Sequence, residues 1–225
     1  MGFEKSGDIF VRFCFTRTLD RKTTLARISE LHPTITDIYK NMSDTELERH
    51  CSPLVLSTCK RAFLVPVRPG YAISLINSSQ SANDLFGGDI RVLLRWDNVY
   101  YRKKTRHRMI QAPAQILWYV SRDIKKIVAV SWLDDVEIGG PKELFKKFKK
   151  SGVLEWKDIY EMCDGDVSKE IMALKFSHTL PLREQISLSQ LQNIMEKNQA
   201  ALQLQSVSEL PPKVFRELLQ LGYPD

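Results

Sequence analysis

A chain of 225 residues with 43% hydrophobic content can bury one large core, or one core with an appendage. No apolar run approaches the roughly 18 to 20 residues of a membrane-crossing helix. No signal-peptide apolar stretch follows Met1, so the expectation is a soluble, cytoplasmic protein with no membrane partner. The net charge of +6 is unevenly spread: residues 91–157 hold 16 Lys and Arg against 7 Asp and Glu, whereas 158–225 hold 6 against 10. A positive field concentrated on the middle third points to a polyanionic partner.

The four cysteines, Cys14, Cys51, Cys59 and Cys163, are scattered through a chain too large to depend on disulfides, which predicts reduced thiols. His50, Cys51 and Cys59 form the one metal-like grouping. Seven residues separate the two cysteines and no second ligand pair follows, so neither a metal nor another cofactor is expected.

In chain order, Ile9 to Leu19 reads as a strand, with Ile9, Val11, Phe13 and Phe15 alternating with Phe10, Arg12, Cys14 and Thr16 at period two. Thr23 to Leu31 places Leu25, Ile28 and Leu31 on one helical face. Pro33 to Asn41 and Thr45 to His50 read as short helices, the second capped by Ser43 or Asp44 with Glu46 and Glu48 near its positive end. From Ala62 the sequence AFLVPVRPGY reads as a short strand, with Ala72 to Ile76 continuing the sheet. Asn77 to Gly88 is a loop by composition, and a domain boundary falls near Lys60. Ile90 to Trp96 and Asn98 to Arg102 read as strands.

The centre of the chain is the stretch from Ile110 to Glu137. Two apolar runs, Ile116 to Val120 and Ile127 to Leu133, flank a polar link, Ser121 to Lys126, which is a hairpin signal. Both runs are too continuously apolar for one wet face, which places them mid-sheet and covered on both sides. Gly139, Gly140 and Pro141 open a helix carrying Lys142, Lys146, Lys149 and Lys150 opposite Leu144, Phe145 and Phe148. Glu155 to Cys163 is helical and Ile171 to Ser177 is a strand. Ser187 caps one later helix, and Pro211 or Pro212 opens a last one that stops at Gly222.

The opening GFEKSGD with its strand resembles the last turn and final strand of GNAT-type N-acetyltransferases, over about twenty residues. A glycine-rich turn of the kind that holds acetyl-CoA on a helix N-terminus is missing from the sequence. Further along, LVPVRPGY, QILWYVS, IVAVSWLDDVE, SGVLEWKDI, MALKFSHT and LQSVSELPPKVFREL resemble, in order, a PUA-like domain of the superfamily that includes ASCH and EVE modules. The resemblance covers roughly Ala62 to Leu221. It implies an α+β fold, a PUA-like mixed β-barrel with flanking helices, and a short N-terminal strand and helix appendage. It divides the chain into residues 1–60, resembling the end of a GNAT domain plus linker helices, and 61–225, the PUA-like domain. It further implies a chain that continues a GNAT catalytic domain, and RNA or a modified nucleotide as ligand. The glycine, lysine, glutamate and arginine motif of the ASCH subgroup is not found, so no ASCH chemistry is carried over.

Candidate contacts follow from charge and aromatic spacing. Arg102, Lys103, Lys104, Arg106 and Arg108 place five fixed charges in seven residues, interleaved and flanked by aromatic groups that include Tyr101, as phosphate contact and base stacking require. A solvated loop is the plainer reading. Trp118 and Tyr119 face opposite ways on a strand, so one is core and the other lines a pocket, although plain packing accounts for both. Ser121 and Arg122 at the hairpin tip could reach a phosphate or a base edge. Lys146 and Lys149 suit diffuse attraction better than recognition. No catalytic residue emerges: Asp134, Asp135 and Glu137 point apart along a strand, and Ser177, His178 and Cys163 lack a nucleophile's spacing. Three functions remain open: a non-catalytic nucleic-acid-binding module, the accessory domain of a GNAT acetyltransferase, and a toxin–antitoxin or other regulatory interaction protein.

Overall fold

The computed structural model describes residues 4–6, 9–11, 18–51, 55–56, 61–76, 97–104 and 110–224. The expected strand at Ile90 to Trp96, the loop before it and the boundary at Lys60 lie outside the described residues.

The fold is α+β, built on a mixed six-stranded sheet. Strands β5 (Ala62–Val67), β6 (Asp97–Lys103), β7 (Ala114–Val120), β8 (Lys126–Gly139), β9 (Ile171–Ser187) and β10 (Ser208–Leu210) line up in the order β10-β5-β7-β8-β9-β6. β5 and β7 run parallel, and the other neighbours are antiparallel. The predicted hairpin is therefore β7 and β8, at the centre of the sheet. Every residue of β7 is buried, as an apolar run covered on both faces must be.

The two faces bury different side chains. Phe63, Val65, Val67, Ile116, Trp118, Val120, Leu133 and Phe176 pack on one face, and Ala62, Leu64, Leu117, Tyr119, Ile127 and Val130 on the other. The second face is covered by helices α7 (Leu188–Lys197) and α8 (Pro212–Gly222), which contribute Leu191, Ile194, Met195, Val214, Phe215, Leu218 and Leu219. Ser187 caps α7 by a reciprocal box with Gln190, satisfying two backbone donors that the helix end leaves open. Pro212 opens α8 where a missing N–H costs nothing. Gly222 closes it where a Cβ would stand 2.8 Å from Leu182 Cδ2.

Three register shifts interrupt the pairing of β8 with β9. At one of them His178 and Thr179 oppose Ser131 alone, with His178 at φ 52° as the extra residue of a bulge. Helices α5 (Pro141–Lys147) and α6 (Trp156–Met162) follow β8, with Leu144 and Ile159 buried.

One local expectation fails. Ala72 to Ile76 belongs to helix α4 (Pro69–Ile76), not to a strand. Pro69 sits at its first position, and the Arg68 carbonyl accepts from the amides of Tyr71 and Ala72, so the turn closes at once.

The N-terminal part is built separately. β1 (Glu4–Ser6) pairs with β2 (Ile9–Val11), and β3 (Thr18–Leu19) pairs in parallel with β4 (Val55–Leu56). The described parts of the expected strand from Ile9 to Leu19 thus fall in two different pairs. Helices α1 (Arg21–Leu31), α2 (Thr36–Lys40) and α3 (Asp44–His50) enclose an apolar cluster of their own: Ile28, Ile35, Tyr39, Leu47 and Cys51. Asp20 caps α1 and Ser43 caps α3 through a box with Glu46. Arg21 holds the α2–α3 connection through Asp44 and the carbonyls of Lys40 and Met42. Buried Gln115 at the start of β7 donates to Glu48, which ties this cluster to the sheet.

Candidate nucleic-acid interface

Among the described strands β6 pairs with β9 alone, yet its other edge is not bare. The Val99 amide donates to the Ser151 carbonyl at 2.8 Å, and Val153 donates back to Val99 at 3.0 Å. Tyr101 packs over Gly152, where a Cβ would meet its hydroxyl oxygen at 2.9 Å, so a glycine is required there. The Tyr101 hydroxyl donates to the Leu144 carbonyl at 3.5 Å, and burial pushes its pKa up to about 12.

Alternation along the strand turns Tyr100 and Arg102 to the opposite face. Tyr100 meets Trp118 edge-on with ring centroids 5.8 Å apart, and Trp118 meets Phe176 at 4.9 Å. Tyr71, from α4, lies 6.5 Å from Tyr100. The Trp118 indole donates to Ser131 Oγ at 2.6 Å, and Ser131 continues to Thr179 at 2.7 Å. Across the ladder from Arg102 and Tyr100 stand buried Met172 and Leu174. The row ends, one strand further, at Ile138, which is 41% exposed.

Arg102 is the unusual member of this group. Its Nε and Nη1 atoms are sealed from solvent and make no hydrogen bond. Burial lowers its pKa, and the neighbouring Tyr100 partly restores it. Burial in turn raises the Tyr100 phenol, opposed by Arg102 and Arg68. Burial likewise raises Tyr71, which feels Asp158 and Glu161 on one side and Arg68 on the other. The side chain as a whole is half-buried, but two of its guanidinium nitrogens are out of water without a partner, which costs the fold stability unless something compensates it.

The other expected contacts are distributed differently. Lys103 pairs with Asp164 at 2.7 Å and Lys104 with Glu170, so carboxylates from the acidic last third neutralise two charges of the basic segment. Arg106 and Arg108 lie outside the described residues. Trp118 and Tyr119 are both buried, at 0% and 3% exposure, so neither forms an open pocket wall. The reason is the covering of both sheet faces, Tyr119 lying under α7 and α8. Ser121 donates its hydroxyl and its amide to the Val67 carbonyl at 3.0 and 2.9 Å, which anchors the hairpin turn to β5. Arg122 is exposed in that turn at φ 62°. Lys146 and Lys149 are exposed, with no acid partner among the described residues, whereas Lys147 pairs with Glu137 at 2.6 Å. Arg68 and Tyr71 were not singled out as contacts from the sequence. Their signal was the RPGY turn leaving a buried strand.

No family model matches the chain, and no curated protein matches it. Among solved structures, it is similar to the ASCH protein from Zymomonas mobilis at 17% identity and a TM-score of 0.53, covering 71% of this chain and 94% of that one. Two variants of the same protein align at TM-scores of 0.55 and 0.54, with 17% and 16% identity, over 72% of this chain and 96% and 99% of theirs. The fold is that of an ASCH domain. At this identity the likeness extends to the fold alone. The grouping of Tyr71, Tyr100 and Arg102 is read from this chain's own residues. No helix among the described residues is long and apolar enough to cross a membrane.

Proposed function

We propose that this chain is a cytoplasmic, non-catalytic nucleic-acid-binding module of PUA-like fold, with RNA or a modified nucleotide as its ligand. The observation that carries the reading is the half-buried Arg102, its Nε and Nη1 without hydrogen bonds, on the same strand face as Tyr100, whose ring lies 6.5 Å from that of Tyr71. Phosphate supplies the missing counter-charge and aromatic faces receive bases. Arg122, Lys146 and Lys149 add exposed positive charge, and the sequence adds Arg106 and Arg108 to the proposed contacts. The division into an appendage, 1–60, and a binding module, 61–225, is part of this reading.

The test is fluorescence anisotropy with a single-stranded RNA and its DNA equivalent across a salt series. Affinity is expected to fall steeply with salt, and removal of each phosphate contact lowers the logarithmic slope by about 0.7. Joint replacement of Arg106, Arg108, Lys146 and Lys149 by Ala should flatten that slope. Binding that is absent at low salt, or indifferent to these changes, would sink the proposal.

A second reading makes the chain the accessory partner of a GNAT-type catalytic domain. It is favoured by the β1–β2 pair, whose two strands bond to each other and not to the six-stranded sheet. Translating the DNA upstream in the same frame tests it. A glycine-rich acetyl-CoA turn there supports this reading, and unrelated sequence dismisses it.

A further inference from the structure

The counter-charge that Arg102 lacks is conspicuous because acidic groups stand close by and are used elsewhere. The next two residues, Lys103 and Lys104, each receive a carboxylate. Asp158 and Glu161 act on Tyr71, whereas the charge on Arg102 is shaped by burial and by the Tyr100 phenol, with no carboxylate contributing. The guanidinium therefore sits in the fold with Nε and Nη1, two of the nitrogens that make its planar fork, unused. A second cation, the exposed Arg68, stands at the start of α4, where its carbonyl accepts from the Tyr71 amide at 3.0 Å, and its charge opposes the effect of burial at both Tyr71 and Tyr100.

Arg102 and Tyr100 opposite the apolar Met172 and Leu174, with Tyr71 and the exposed Arg68 of the α4 start alongside, suit a small dianion joined to a flat group. A phosphodiester within a chain carries one negative charge. A terminal phosphate monoester carries about −1.5 to −2 at neutral pH and offers three acceptor oxygens. We propose that Arg102 and Arg68 form a receptor for a terminal phosphate monoester, that of a mononucleotide or a phosphorylated nucleic-acid end, with Tyr71 and Tyr100 beside its base. The proposal rests on the nucleic-acid reading above and narrows it. It also couples binding to folding: the ligand compensates a charge that otherwise destabilises the protein.

The experiment compares melting of the full chain in sodium chloride with melting at equal ionic strength in inorganic phosphate, uridine 5′-monophosphate or uridine. The native protein should gain about 2–4 °C from millimolar phosphate, more from the monophosphate, and nothing from uridine. Arg102→Met should melt higher than the native chain in chloride and respond to neither phosphate species. Arg68→Ala should weaken the response without raising the chloride melting point. A native chain indifferent to both phosphate species overturns the proposal, as does an Arg102→Met variant that melts lower in chloride, fails to fold, or responds like the native chain. The arginine Nε–H resonance of Arg102 in native, nitrogen-labelled protein gives an independent readout: it should shift on adding phosphate, and an unmoved signal counts against the site.

A last arm separates this inference from the reading beneath it. An oligonucleotide with a 5′-phosphate should bind about tenfold more tightly than its 5′-hydroxyl twin, and Arg102→Met should erase the difference. Equal binding of the two leaves the nucleic-acid reading standing and removes the monoester site. Phosphate stabilisation through Arg102 with no oligonucleotide binding does the reverse.

Discussion

Trp118 and Tyr119 are neighbours on one strand, and both are buried, yet they look into cores of opposite character. On the Tyr119 side the sheet meets α7 and α8 through aliphatic and aromatic groups, and the polar contacts stay at the margin. There the Tyr223 hydroxyl donates to the Pro181 carbonyl at 3.0 Å, and Lys197 pairs with Glu217 at 3.1 Å. On the Trp118 side a hydrogen-bonded chain of Trp118, Ser131 and Thr179 runs through the interior, and Arg102 keeps an uncompensated charge. A core that leaves no polar group waiting is scaffold. One that bears the cost of an unpaired cation is a candidate site, because buried polar groups are otherwise satisfied almost everywhere.

The contrast can be broken by substitution, and the largest effect is expected on the scaffold side. Phe215→Ala removes a ring at 1% exposure and should cost about 3–5 kcal/mol of folding stability, read from the urea midpoint. The folded fraction should still respond to phosphate as the native chain does. A variant that folds and has lost the response would show that the α8 face takes part in binding.

An intermediate effect is expected from Ser131→Ala. It strips the Trp118 indole N–H of its 2.6 Å acceptor and should cost about 1–3 kcal/mol in the same denaturation experiment. A loss below the error of the measurement would mean that water takes the place of the serine, and that the Trp118 side is wetter than its burial indicates.

The smallest effect is expected at the ion-paired surface. Lys103→Met opens an exposed pair with Asp164 and should leave the melting temperature unchanged. It should also lower RNA affinity less than Lys149→Ala does, since Lys149 has no acid partner among the described residues. The opposite ranking would move the interface onto the outer surface of β6 and weaken the distinction between its two faces.

Much of the scaffold was legible in the chain. The β7–β8 hairpin announced itself through two apolar runs too long for one wet face. Ser187 and Pro141 marked helix starts, and Ser43 or Asp44 and Pro211 or Pro212 marked two more that the structure assigns to Ser43 and Pro212, because a capping oxygen or a missing amide has a local use there. Ala72 to Ile76 was misread because a short apolar run carries no period of its own, and the Arg68 carbonyl decided in favour of a helix. The candidate site was legible in part: Arg102 stood out as charge, but its burial did not. Tyr71 comes from a distant segment that only the packing of α4 brings to Tyr100.

The sequence by itself determined where apolar and basic residues concentrate, and hence a covered central hairpin and an excess of positive charge in the middle third. Local periodicity and capping suffice for that, since they depend on neighbours a few residues away. The tertiary structure decided which charges remain available. Asp164 and Glu170 lie 61 and 66 residues beyond the lysines they neutralise. The register of β6 against β9 turns Arg102 inward while its neighbour Lys103 reaches Asp164. Charge is a property of composition, but its compensation is a property of distance, and distance exists only once the chain has folded.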